Sequence, residues 1–274
     1  MRRAKLTDGL GRHVVVLAPH LDDAALSLGG TIARATRSGS RVDVVTIFAN
    51  DPSSTGAPGE WDAACGFATA AEAAQVRREE DRRACEVLGA TPVWLPFADY
   101  EYEQDFDDDR LWDSVAKAVQ GADTVLTPGF PLAVADHARL TCLLLARPLP
   151  GVRLALYAEQ PYITWRLIGR GRRTGAQGLT PRQGIRNLVA IALRTPAGHR
   201  LQTPSDPSVC ATSVGPLEWM VAPMRLRDWW AKQTAIRAYR SQVKGFGPLV
   251  VQRMVVYESG WGGEAIAWVP EPAR

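Results

Sequence analysis

The sequence predicts a three-layer α/β sandwich on a mainly parallel sheet, and three observations carry that reading. Short β-branched apolar runs recur through the first half of the chain. A helical segment with one apolar side separates each run from the next, and Gly and Pro punctuate the changes of period. Strands alternating with helices fold as right-handed βαβ units, which bury a parallel sheet between two helical layers.

The elements follow in order. Val14-Val15-Val16-Leu17 has the continuous apolar character of a strand covered on both faces. Ala24 to Ser38 reads as a helix, with Leu26, Ile32 and Ala33 on one side and Gly39 beyond its end. Val42 to Ala49 gives a second strand, and Asn50 to Gly66, with Pro52, Gly56, Pro58 and Gly59, reads as a loop. Ala70 to Leu88 is strongly helical and stops at Gly89. A strand at Pro92 to Pro96, a helix at Leu111 to Val119 and a strand at Thr124 to Thr127 come next. A helix at His137 to Ala146 and a fifth strand at Arg153 to Ala158 complete the alternation.

Beyond Glu159 the pattern weakens. Residues 166–186 contain no acid, much Gly and six arginines (Arg166, Arg170, Arg172, Arg173, Arg182 and Arg186), and are expected to form a mobile loop. They open a loop-rich insertion over 166–210. Asp228 to Val243 is helical again, and Leu249 to Tyr257 reads as a late strand. With no repeat and no clear linker, residues 1–274 are expected to form one domain, Rossmann-like with an irregular C-terminal elaboration.

Composition narrows the function classes. A hydrophobic fraction of 46% with 22% charged residues describes a globular chain of enzyme size. The net charge of +3 is too small to argue for nucleic acid. No apolar run approaches the roughly 20 residues needed to span a bilayer, so no membrane partner is expected. The apolar stretch near the N-terminus, Val14 to Ala18, is too short for a secretory signal. Cys65, Cys85, Cys142 and Cys210 contain no CxxC pair and are read as buried thiols; the cytoplasm is the expected compartment.

Chemistry concentrates where strands end. Ala18-Pro19-His20-Leu21-Asp22-Asp23 follows the first strand directly, at the sheet edge where open parallel sheets place their ligands. His20 and Asp23 are the nitrogen and oxygen donors that suit a catalytic zinc, and Asp22 is a second carboxylate able to take a proton from water. Leu28-Gly29-Gly30 would let the following helix approach the sheet closely. The plainer reading is a helix N-cap by Asp22 or Asp23. Asp136-His137, just after the fourth strand, falls at the same edge and supplies the third ligand of a site with an open water position. The other two histidines, His13 and His199, lack such a context and read as surface residues.

PHLDDAALSLGG resembles the N-terminal motif of the LmbE-like/PIG-L family of zinc-dependent N-acetylglucosamine deacetylases. Further matches follow in order: Arg77-Arg78-Glu79-Glu80 through Leu88-Gly89, Leu95 to Asp99, Asp123 to Pro128 with Asp136-His137, and KQTAIRAYRSQ from Lys232 to Gln242. The resemblance covers most of the chain outside 166–210. It implies zinc held by His20, Asp23 and His137, and Asp22 as general base. It implies substrate contacts for Arg77 and Asp99, and places Asp136 as the group that orients a histidine at the substrate side. Arg77 reads equally well as a solvated charge on a charged helix.

Two departures stand out. Leu21 and Ala24 replace a proline and an acid of the family motif, and Val134 stands where the family has a histidine that polarises or protonates the reacting amide. That role falls to the metal or to another side chain such as His199. The implied partner is a small-molecule glycoconjugate. The nine tryptophans and the long insertion suit a bulky acceptor such as a teicoplanin-type glycopeptide, with a thiol-sugar conjugate as the alternative. A nucleotide-binding glycosyltransferase would show the same βαβ units, but Gly29-Gly30 lies inside a helix and forms no GxGxxG turn. A non-catalytic binding protein would explain Val134 but not the retention of His20, Asp22, Asp23 and His137 together.

Overall fold

The computed structural model describes residues 9–51, 53–103, 107–168, 179–195, 197, 204, 209–211, 216–247 and 249–270. Seven strands form one sheet: β1 (His13–Ala18), β2 (Arg41–Thr46), β3 (Thr91–Trp94), β4 (Thr124–Phe130), β5 (Arg153–Ala158), β6 (Trp219–Pro223) and β7 (Gly263–Trp268). Their order is β3-β2-β1-β4-β5-β7-β6. The first five run parallel, and β7 and β6 complete the edge antiparallel. The strand order reverses between β1 and β4, and the crevice beyond the carboxyl ends of such a pair is the ligand position of open α/β sheets.

The continuous apolar run of β1 has its reason in the two layers it separates. Val14 and Val16 join the cluster shared with the helix α1 (Asp23–Arg37), while Val15 and Leu17 join the opposite cluster. The latter is covered by α4 (Asp108–Ala118) and α5 (Ala135–Ala146), which contribute Leu111, Val115, Leu140 and Leu144. Between them in sequence lie α2 (Glu60–Cys65) and α3 (Ala70–Leu88). The Thr69 hydroxyl accepts from the Glu72 N–H at the start of α3, and Gly89 closes it in the left-handed conformation.

The structure departs from the sequence reading in four places, three of them in the C-terminal half. Leu249 to Tyr257 is not a strand: Val250–Trp261 is helical, because Val250, Met254 and Tyr257 at helical spacing are all buried. The last strand lies further on, at β7, after Gly262. The 50–66 segment includes α2. Of the mobile loop expected over 166–186, residues 166–168 end the helix α6 (Tyr162–Ile168) and 181–186 begin the helix α7 (Pro181–Ala192), the latter opened by a Thr180–Gln183 capping box. Residues 169–178 lie outside the described residues. Three helices follow: α8 (Leu226–Ala238), α9 (Arg240–Phe246) and α10 (Val250–Trp261).

Two further expectations change. Cys142 and Cys210 form a disulfide, with Cα atoms 5.0 Å apart across 68 residues of sequence; Cys65 and Cys85 are buried free thiols. A pairing over that distance leaves no trace in the spacing. Gly29 and Gly30 admit α8 and its preceding turn, and Gly30 also meets the sheet through the Glu264 side chain of β7. A Cβ on Gly30 would lie 2.1 Å from Met224 Sδ, and one on Gly29 would lie 2.9 Å from Lys232 Cγ. Lys232 is fully buried there, donating to Glu258 and Glu264 at 2.7 Å each. Among the described residues no helix is long and apolar enough to cross a membrane.

Candidate active site

The chain leaves β1 at Ala18, turns through Pro19 to Asp22, and enters α1 at Asp23. Asp22 takes a φ of 143°, a left-side backbone conformation that costs a non-glycine residue and here sits at the head of the helix. Its carboxylate makes no capping hydrogen bond, so the plain N-cap reading fails for Asp22. Asp23 accepts from the His20 N–H at 2.8 Å, which folds the turn back on itself. After β4 the chain enters α5 at Ala135, placing Asp136 and His137 in the first turn.

Both turns meet at the switch point. His137 Nε2 lies 3.2 Å from His20 Nδ1 and 3.3 Å from Asp23 Oδ2, and His20 Nδ1 lies 3.5 Å from the same oxygen. The outer ring nitrogens are engaged elsewhere. His20 Nε2 pairs with Asp136 Oδ2 at 2.9 Å, and His137 Nδ1 makes a short hydrogen bond to Glu159 Oε2. Each imidazole thus donates outward to a carboxylate and turns a lone pair inward, towards Asp23. Three acceptors that converge this closely require a positive charge between them.

A divalent ion fits that requirement. Tetrahedral zinc, with ligand bonds of about 2.0–2.1 Å to nitrogen and oxygen, separates its ligands by roughly 3.3 Å, and the triangle here has edges of 3.2 to 3.5 Å. The three ligand atoms lie within 4.8 Å of one another, in a group of the kind that holds a metal ion. Carboxylates behind the ligating imidazoles fix the ring tautomers, as in many zinc sites. Without an ion the same demand falls on a proton. Burial alone would lower the His20 pKa, but Asp136 and Asp23 outweigh it and raise it well above the usual range. Burial likewise opposes ionisation of Asp23, yet His137 and His20 hold its pKa below the usual value.

Asp22 is buried beside the triad. Burial, reinforced by the adjacent Asp23 charge and opposed by Arg77, pushes its pKa well above that of an ordinary carboxylate. It opens with His20 and Asp23 onto a cavity of about 570 Å³, whose wall also includes Arg77, Asp99 and Val134. Arg77 is not a solvated charge: it is 5% exposed, and Nη1 donates to Asp62 Oδ1 at 3.1 Å. Asp99 accepts from the Glu101 N–H at 2.9 Å. Asp136 also lines the cavity, but its Oδ2 serves His20 and the Tyr100 N–H. The sequence left Asp136 without a partner once Val134 replaced the histidine; His20 is that partner.

Other residues fall away or enter. His13 lies at the opposite edge of β1, half-buried against Asp43, and His199 lies outside the described residues. Val134 ends the turn before α5 and presents no hydrogen-bonding side chain to the cavity. Glu159, 1% exposed, was legible only as the exit of strand five. Its position at the end of the strand neighbouring β4 was the available signal, and it both holds His137 and accepts from the Leu132 N–H at 2.8 Å.

Comparison with known proteins agrees with this geometry. The diacetylchitobiose deacetylase of Thermococcus kodakarensis is 38% identical over 91 residues, which span 33% of this chain and 31% of that protein. The solved A40926 pseudoaglycone deacetylase is similar in fold, with a TM-score of 0.68 and 22% identity over 95% of this chain and 97% of its own. The zinc-inhibited form of teicoplanin deacetylase gives a TM-score of 0.67 and 19% identity, over 93% and 97% of the two chains. At those identities the likeness is one of fold. The profile of the PIG-L family, described as GlcNAc-PI de-N-acetylase, matches residues 15–146, a segment that runs from within β1 to the end of α5 and holds both histidine turns.

Proposed function

We propose that this chain is a zinc-dependent amide hydrolase that removes the acetyl group from an N-acetylglucosaminyl conjugate, and that the conjugate is a glycopeptide-antibiotic precursor. The observation that carries the reading is the convergence of His20, Asp23 and His137 at one end of a cavity with Asp22 beside them. The acceptor rests on the likeness in fold to the A40926 and teicoplanin deacetylases over nearly the whole chain. The 38% identity to a diacetylchitobiose deacetylase over a third of the chain supports the amino sugar.

His20, Asp23 and His137 would hold the zinc, which lowers the pKa of a bound water towards about 7 and polarises an acyl oxygen. Asp136 and Glu159 keep the two imidazoles in the donating-outward tautomer. Asp22 takes a proton from the attacking water as its oxygen bonds to the acyl carbon. The same group returns that proton to the nitrogen as the C–N bond breaks, leaving acetate and an amine. A single carboxylate acting first as base and then as acid needs no histidine at Val134. Arg77 and Asp99 face the sugar hydroxyls from the cavity wall.

Mass spectrometry of the zinc-loaded protein incubated with acetylated amino sugars tests this reading. Acetate and the free amine should appear, fastest from the glycopeptide pseudoaglycone. Intact acetyl groups on every amino sugar offered would overturn it, and equal turnover of a simple N-acetylglucosaminide would remove the glycopeptide assignment.

A further inference from the structure

The cavity wall combines two chemistries. A series of rings, edge-to-face except for the tilted Trp61–Phe246 pair, leads away from the triad. His137 meets Tyr162 at 5.2 Å and 82°, Tyr162 meets Trp165 at 5.6 Å and 89°, and Phe246 links Trp165 to Trp61 at 5.8 and 5.5 Å. Such a wall receives the C–H face of a sugar or an aryl group. The wall is also acidic, and the two chemistries meet where Glu101 accepts from the Trp61 N–H at 2.9 Å. Asp99 and Glu101 follow β3, and Glu60 opens α2 at the exposed rim.

Together with Asp22, Asp23 and Asp136 these make six carboxylates, against Arg77 as the one lining residue with an ammonium or guanidinium group among the described residues. Arg77 has no charge to spare for a ligand. It is buried against Asp62, and the Asp62, Asp22 and Asp99 carboxylates together hold its guanidinium charged despite burial. Its buried Nε has no partner among the described residues, which leaves one donor for a neutral acceptor such as a hydroxyl. With a divalent ion bound, the six carboxylates still outnumber the positive charges. A cleft of one sign with low-dielectric walls concentrates its field on whatever enters.

We propose that this cleft selects amino-sugar conjugates whose aromatic aglycone is cationic or neutral, and that Glu60 and Glu101 discriminate against anionic conjugates such as sugar phosphates or carboxylated aglycones. This selectivity rests on the deacetylase reading. It also bears on the products, because the field that holds an ammonium group expels acetate.

Three aryl N-acetylglucosaminides differing only in a para substituent (aminomethyl, methyl or carboxylate) test the proposal with the metal-loaded enzyme. At low ionic strength kcat/KM should fall from ammonium to neutral to carboxylate, on the order of tenfold per step, and the steps should shrink at high salt. Glu60→Gln with Glu101→Gln should compress the series. The glutamine at 101 keeps an acceptor for the Trp61 N–H that Glu101 holds at 2.9 Å. The salt dependence of the unaltered enzyme needs no variant and stands if the double variant fails to fold. Equal rates across the series, or a faster carboxylate, would overturn the selectivity while leaving the deacetylase reading intact. Full discrimination in a folded double variant would overturn the assignment to Glu60 and Glu101. Hydrolysis of none of the three would overturn the deacetylase reading and this proposal with it.

Discussion

His13 and His20 stand at the two ends of the same strand, each beside an aspartate, and the chain makes different things of them. At the amino edge His13 Nε2 meets Asp43 Oδ2 at 2.9 Å and Nδ1 meets the Gly121 carbonyl at 3.1 Å. Asp43 also takes Arg41, and Asp123 takes the N–H groups of Arg12 and His13 at 2.6 and 2.9 Å. Every nitrogen there ends on one oxygen of the protein. At the carboxyl edge the outer nitrogens of His20 and His137 are equally well placed, but the inner ones face Asp23 and each other. A histidine next to an aspartate is therefore not a site. The site comes from two crossovers that end at the strand-order reversal, each bringing a ring whose outer nitrogen is already occupied.

That contrast breaks most visibly at His137. His137→Ala should purify folded but essentially metal-free, as read by atomic absorption, because two ligands do not close the triangle. Full metal occupancy in this variant would remove His137 from the site. Asp22→Asn comes next: metal content should match the parent while kcat falls on the order of 10²-fold or more, the usual scale for a general base. Parental turnover would end the assignment of Asp22 to proton transfer. Glu159→Gln sharpens the comparison. Gln can still accept from His137 Nδ1 but without charge, so metal affinity should weaken by roughly 10–100-fold in a chelator competition. At the amino edge His13→Ala should leave metal content untouched and lower stability by about 1–2 kcal/mol in a urea titration, for the bonds to Asp43 and Gly121. Loss of metal there would show the two edges to be coupled.

Most of the sheet was readable because its signals are local. The extents of β1, α3 and β5 follow from apolar runs, helical periodicity and a glycine stop. The triad was readable for the same reason: His20, Asp23 and His137 each lie within a few residues of a strand end, and strand ends of a parallel sheet share one edge. What stayed hidden depends on contacts between segments distant in sequence. Glu159 reaches His137 because β5 pairs with β4, and Arg77 is buried because Asp62 and Asp99 close over α3. The valines of α10 satisfy a strand as well as a helix until it is known that Val250, Met254 and Tyr257 face inward together.

The Cys142–Cys210 bridge runs from α5, one turn and a half beyond His137, to the segment ahead of β6. It closes a covalent ring that contains β5, α6 and α7, and with them Tyr162 and Trp165 of the aromatic wall. A single proteolytic nick inside that ring yields two fragments that still travel as one chain on a denaturing gel and separate when a reductant is added. The helix bearing His137 and the rings beside it are thus one mechanical unit, joined by sulfur even where the backbone between them is cut.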